Sequence, residues 1–99
     1  MDKFEWDINK DKNNLVKHSV SFDEAKTVFF DIYAFIFNDK KHSLNEIRKL
    51  IIGYSNINRL LIVSFTLRNN KIRIISSRLA NKKERRKHEE FIKKRIHEQ

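Results

Sequence analysis

The sequence predicts an α+β fold in which two N-terminal helices pack on an antiparallel four-stranded meander and a basic helix closes the chain. Three observations carry this. Apolar residues recur at three- and four-residue steps before Asp31 and at steps closer to two after it. Polar turn residues then separate the strand-like runs at hairpin spacing. Last, Asn81 and Glu84 form a cap pair ahead of a highly charged stretch with one narrow apolar seam.

Phe4 to Trp6 reads as a short opening strand, and the Asp7 carboxylate as the cap of a helix over residues 8 to 18. Ser21-Phe22-Asp23-Glu24 fits a capping box, in which Ser accepts from one end amide and Glu reaches back to another. Phe22, Ala25, Val28 and Phe29 make one apolar helix face. Tyr33 to Phe37 is the first strand of the meander, ended by the polar stretch 38 to 46. Strands follow over 48 to 54, 59 to 65 and 71 to 77. Their turns are Asn56-Ile57-Asn58 and Asn69-Asn70, since Asn tolerates the positive φ of a tight turn. From about Asn81 the chain is helical, with His88, Phe91, Ile92 and Ile96 as its seam. No repeat or linker divides residues 1–99, so a single domain with a modest core is expected.

Composition limits the function. There is no Cys, no Pro and one Gly, which excludes a disulfide framework, a thiolate zinc site and a Cys nucleophile. No apolar run approaches the ~20 residues of a membrane span, and Met1 to Glu5 lacks the pattern of a signal peptide. A cytoplasmic protein with no membrane partner is expected. The formal charge of +9 is lopsided: residues 1–58 hold nine Lys/Arg and nine Asp/Glu, whereas residues 59–99 hold 13 and four. Such a footprint suits a polyanion, either nucleic acid or an acidic protein.

Strict alternation along the last strand sends Arg73 to one side and Arg78 to the other. A guanidinium in a half-buried strand needs an anionic partner, and its planar fork suits phosphate. The competing reading is that one or both close salt bridges to Glu46 or to an early-helix carboxylate. The loop Asp39 to Arg48 gathers His42 for proton exchange near neutral pH, Glu46 as a base and Arg48 to hold an anionic oxygen. Ser43-x-x-Glu46 also reads as a capping box. His18 reads as the C-terminal dipole partner of the first helix, and His88 as a packing residue. Phosphate-cradling Gly loops, metal-ligand clusters and Gly-x-Ser-x-Gly elbows are absent from the sequence. Cutting of a phosphodiester by these residues would be metal-independent and would require RNA, whose 2′-hydroxyl is the nucleophile. No cofactor is expected.

At this point the residues resemble a known family. Phe4-Glu5-Trp6-Asp7, then Asn14 with Lys17-His18-x-Val20-Ser21-Phe22-x-Glu24-Ala25 and Val28-Phe29-x-Asp31, is similar to the opening of BrnT toxins. The likeness continues through Asp39-x-x-His42-Ser43-x-x-Glu46-x-Arg48, Ile52-Gly53-x-Ser55 and Arg59-Leu60-Leu61-x-Val63. It closes on Arg73-Ile74-Ile75-Ser76-x-Arg78-x-Ala80 and Glu84-Arg85-Arg86-x-x-Glu89. The resemblance implies a RelE-like ribonuclease fold and a toxin that blocks translation by cutting RNA. It also implies a BrnA-like ribbon-helix-helix antitoxin, with operator DNA bound only through the complex. The family pattern falls on His42, Glu46, Arg48, Arg73 and Arg78, and often has Tyr where this chain has His88. Ser19 and Asn69 stand where the family tends to have Gly, and Ile8, Ile32 and Lys40 where it often has Pro.

The sequence therefore leads to a metal-independent endoribonuclease toxin. Arg73 and Arg78 bind the scissile phosphate with help from Arg48; Glu46 or His42 is the base, and His42 or His88 the acid. Lys82, Lys83, Arg85 and Arg86 of the last helix are candidate RNA contacts. The rival readings are a non-catalytic basic module for RNA or protein, and an inactive relic that still binds its antitoxin.

Overall fold

The computed structural model describes residues 3–97. In chain order they form β1 (Phe4–Glu5), α1 (Ile8–His18), α2 (Phe22–Thr27), β2 (Phe35–Asn38), β3 (Lys49–Tyr54), β4 (Leu60–Arg68), β5 (Lys71–Leu79) and α3 (Lys82–His97). Short 3-10 turns cover Val28–Phe30 and Lys40–His42.

Local chemistry accounts for the element ends. The Asp7 carboxylate accepts from the Asn9 and Lys10 amides at 2.8 and 3.1 Å, which holds its pKa below the ordinary value and starts α1. Ser19, at φ 59°, ends that helix in the left-handed region with its N–H donating to the Leu15 carbonyl. Ser21 Oγ accepts from the Glu24 amide at 3.1 Å, as the capping box requires. The other half of that box is not made. Instead the Glu24 carboxylate accepts from Arg59 Nε at 2.9 Å and Ser55 Oγ at 2.7 Å, tying α2 to the β3–β4 turn. The Arg59 bond, then that from Ser55, depresses the Glu24 pKa. Asn69 and Asn70 take φ of 54° and 64° between β4 and β5, the turn their residue type predicts.

The strands lie in the order β1-β5-β4-β3-β2. β2 to β5 are the expected antiparallel meander. The opening strand joins it in parallel at the β5 edge, Phe4 opposite Ile72 and Glu5 opposite Arg73, so the five-stranded sheet is mixed. The strict alternation expected along β5 is interrupted. Ser64 pairs with Ser76 but Phe65 with Ile74, leaving Ile75 as an extra, bulged residue. Alternation resets there. Thr66 lies opposite Arg73, Ser64 opposite Ser76 and Ile62 opposite Arg78, so both arginines project from one face, not from opposite faces.

The sheet's two faces are covered unequally. On the first, Ile51, Leu61, Val63, Phe65 and Ile74 pack beneath Val20, Phe22, Ala25 and Val28. Full burial of a side chain such as Phe22 or Leu61, both 0% exposed, stabilises by roughly 1.5–3 kcal/mol. Helix and strand approach closely at Gly53, where a Cβ would lie 2.8 Å from that of Ala34 and 3.1 Å from Val28 Cγ1. Beyond β1 the free edge of β5 is capped by buried Asn14. Its amide donates to the Ser77 carbonyl at 2.8 Å and accepts from the Ser77 amide at 3.1 Å, standing in for a neighbouring strand.

The second face carries a smaller cluster of Ile52, Leu60, Ile62 and Ala80, flanked by Phe35 and Leu50. Here α3 leaves β5 and leans towards β2, where Phe91 meets Phe35 at 4.2 Å between ring centroids. His88 is 1% exposed, stacked on Phe35 at 6.0 Å and edge-on to Tyr54 at 5.6 Å. No helix among the described residues is long and apolar enough to cross a membrane.

Candidate functional site

The part of the second face that α3 leaves open forms a cleft of about 400 Å³. Leu50, Ile62, Ser64 and Ser76 contribute sheet side chains to it. Arg48 enters from just before β3 and Arg78 from β5, while Asp39 and His42 come from the loop after β2. His18, the last residue of α1, completes the cleft.

Ser43 closes the loop that carries His42. Its Oγ donates to the Asp39 carbonyl and accepts from the Arg48 amide at 3.0 Å, so Ser43 closes a loop and does not cap a helix with Glu46. His42 Nδ1 lies 3.0 and 3.2 Å from the two Asp39 carboxylate oxygens. Asp39 is the more covered partner, its side chain 13% exposed against 58% for His42. When Nδ1 donates to Asp39, Nε2 is left as an acceptor.

The two cleft arginines differ in how they are held. Arg78 forms a two-pronged pair with Glu84 at 2.8 and 2.9 Å. Glu84 also accepts from the Asn81 amide at 2.8 Å, and Asn81 Oδ1 accepts from the Glu84 amide at 2.8 Å, so the predicted cap box of α3 is complete. The Arg78 bonds first, and the Asn81 bond after burial's opposing effect, hold the Glu84 pKa below its ordinary value; the same pair raises that of Arg78. Arg48 is less committed. Its Nε is buried without a hydrogen-bond partner, 3.9 Å from Glu46 Oε1.

The other sequence-predicted residues lie outside this cleft. Glu46 lines a neighbouring cavity, which shares His42 and Arg48 with the cleft, and pairs with Arg68 at 3.1 Å. Arg73 pairs with Glu5 at 2.8 Å, across the β1–β5 register. His88 is enclosed between Phe35 and Tyr54 with no partner for Nε2, and burial pushes its pKa below the usual imidazole value. Lys82, Arg85 and Arg86 are exposed on α3, and Lys83 lines a further cavity beside the cleft.

Sequence reasoning singled out His42, Arg48 and Arg78 but not Asp39, His18, Ser64 or Ser76. The three-residue spacing of Asp39 and His42 was visible in the sequence. The convergence of His18 was not, because it depends on where α1 ends against the β5 edge.

Imidazole, guanidinium and hydroxyl groups around one concavity make a site suited to a phosphodiester. The sequence matches the family model described as the ribonuclease toxin BrnT of type II toxin-antitoxin systems over residues 6–84. The fold is similar to the 1.1 Å crystal structure of the Brucella abortus ribonuclease toxin, BrnT. That likeness has a TM-score of 0.63 and 25% identity, and covers 83% of this chain and 100% of the other. No curated protein matches the sequence. Fold, site and likeness together define a class, the ribonuclease toxins of type II toxin-antitoxin systems, with RNA as substrate and an antitoxin as partner. Within that class, the chain belongs to the BrnT family.

Proposed function

We propose that this toxin is a metal-independent endoribonuclease that cleaves RNA through the substrate's own 2′-hydroxyl, and so inhibits translation. The supporting observation is one cleft lined by His42, Arg48 and Arg78 on the open sheet face. His42, oriented by Asp39, takes the 2′-hydroxyl proton at Nε2. The 2′-oxygen bonds to phosphorus, the bond to the 5′-oxygen breaks, and a second proton carrier protonates that leaving oxygen. The products are a 2′,3′-cyclic phosphate and a free 5′-hydroxyl. His18 is the other imidazole lining the cleft and is assigned the second proton.

Arg48 and Arg78 carry the negative charge that grows on the phosphoryl oxygens. The Arg48 side chain is one-third exposed and lines the cleft, which leaves part of its guanidinium open to such an oxygen. In this reading Glu46 and Arg73 act through their ion pairs, Glu46 steadying Arg48 and Arg73 fixing the β1 edge. His88 supports α3 by packing. Metal independence follows from the chemistry of the donors, which move protons and neutralise anions without needing a bound ion. We assign neutralisation to a BrnA-like ribbon-helix-helix antitoxin, through which alone the complex would reach operator DNA.

Product ends test the chemistry. Purified toxin incubated with RNA in EDTA is expected to leave 2′,3′-cyclic or 3′-phosphate ends. Intact RNA would favour a non-catalytic binding module, and 5′-phosphate ends or a need for added metal would overturn the 2′-hydroxyl route.

A further inference from the structure

A second cavity, of about 460 Å³, lies beside the cleft. Ile62 lines both. Arg78 lines the first and its partner Glu84 the second, so their ion pair stands on the boundary between them. The second cavity differs in chemistry from the first. Phe35, Phe37 and Ile52 give it aromatic and aliphatic surface, and Asn81, Lys83 and Lys87 give it a polar, cationic margin.

Phe37 is the informative residue. Phe35 is committed to packing against Phe91 and His88. Phe37 lies 5.9 Å from Phe35 between ring centroids, yet remains 39% exposed on the edge strand β2. A large aromatic left half open, beside lysines and next to a phosphate-type cleft, has the features of a single-stranded nucleic-acid platform, where bases stack and cations track the backbone. The one carboxylate present does not oppose this, because Glu84 is already bonded to Arg78 and to the Asn81 amide.

We propose that this cavity is a nucleobase subsite: an unpaired base next to the phosphate held in the cleft stacks on Phe37, with Lys83 and Lys87 meeting the adjoining backbone. The inference rests on the proposed ribonuclease site and assigns the substrate class as single-stranded RNA with a splayed base beside the cut. Continuity with the cleft and the lysine margin favour RNA over an apolar peptide as the occupant.

The test uses RNA that cannot be cut. A short, labelled single strand with 2′-O-methyl groups throughout is bound to the full-length toxin and followed by fluorescence anisotropy. An abasic residue is then placed at each position in turn. Phe37→Ala is expected to weaken binding of the intact strand by about tenfold, within the range for loss of one stacked base. One abasic position should cost the wild type a similar factor and cost Phe37→Ala nothing further. Phe37→Trp should restore binding, which separates lost stacking from lost folding. Wild-type affinity in Phe37→Ala, or abasic penalties equal in the two proteins, would overturn the subsite and leave the groove to a protein partner. Failure of the wild type to cut unmodified RNA in EDTA would instead count against the cleavage mechanism, with the binding result still standing.

Discussion

The two faces of this small sheet are built to different standards. On the first, nine buried residues from α2, the turns on either side of it and three central strands close an apolar core, and even the free edge of β5 is sealed by the Asn14 side chain. The second is only partly covered by α3, a helix whose buried contact is made by a histidine. In the uncovered part lie Arg48, Arg78, Ser64 and Ser76, with His42 and His18 arriving from elements at its margin. One face supplies most of the stability, and the incompleteness of the other supplies the site.

This division can be broken experimentally from either side. The largest effect is expected at His42. His42→Ala should lower the RNA cleavage rate by about 10²- to 10⁴-fold, the usual worth of a positioned proton carrier, while leaving Tm unchanged because the side chain is 58% exposed. Its expression should no longer arrest growth; an equal loss of Tm would make His42 a structural residue.

On the sealed face the reverse is expected. Phe22→Ala removes a fully buried ring and should cost ~3–5 kcal/mol in urea unfolding. The matching truncation on the second face, Phe91→Ala, should cost distinctly less, since that ring is only partly buried. Equal costs would mean that α3 belongs to the core as fully as α2 does.

The smallest expected effect is a pH dependence confined to the second face. Burial lowers the His88 pKa from the ordinary 6.5, and Asp31 and Glu89 only partly oppose this. Neutral His88 is therefore the form that fits. Its contribution is complete above pH 6.5 and is lost as the pH falls through the lower folded-state value. Tm should decline on acidification below pH 6.5 and level off beneath the folded-state value, and His88→Leu should flatten the decline. An unchanged slope in His88→Leu would place the titration elsewhere.

Much of the fold was legible because burial imposes a period. The helix face of Phe22, Ala25 and Val28 and the β-rich run from Leu60 to Phe65 are buried as their spacing predicts. Caps made of short polar side chains were legible too, at Asp7 and at Asn81 with Glu84. The failures came where tertiary contacts outbid a local pattern. Glu24 leaves its helix end for Arg59 and Ser55, and Ser43 bonds across a loop. The bulge at Ile75 was hidden because no Gly or other local signal marks it, yet that one residue decides which face Arg73 and Arg78 share.

The site was legible as residue types more than as an assembly. His42, Arg48 and Arg78 were singled out for their chemistry, and strand register and loop closure bring them to one cleft. Ion pairing with Glu5 and Glu46 could not be ranked without coordinates, because both carboxylates reach their arginines through contacts distant in sequence.

Whether RNA occupies the incompletely covered face can be read from amide NMR shifts on adding uncleavable 2′-O-methyl RNA to the toxin. The largest changes are expected at His42, Arg48, Ser64, Ser76 and Arg78, extending to Phe37 and Lys83. Shifts centred on Lys12, Val16 and Lys26 of the α1–α2 side, with the cleft residues silent, would place RNA on the other face.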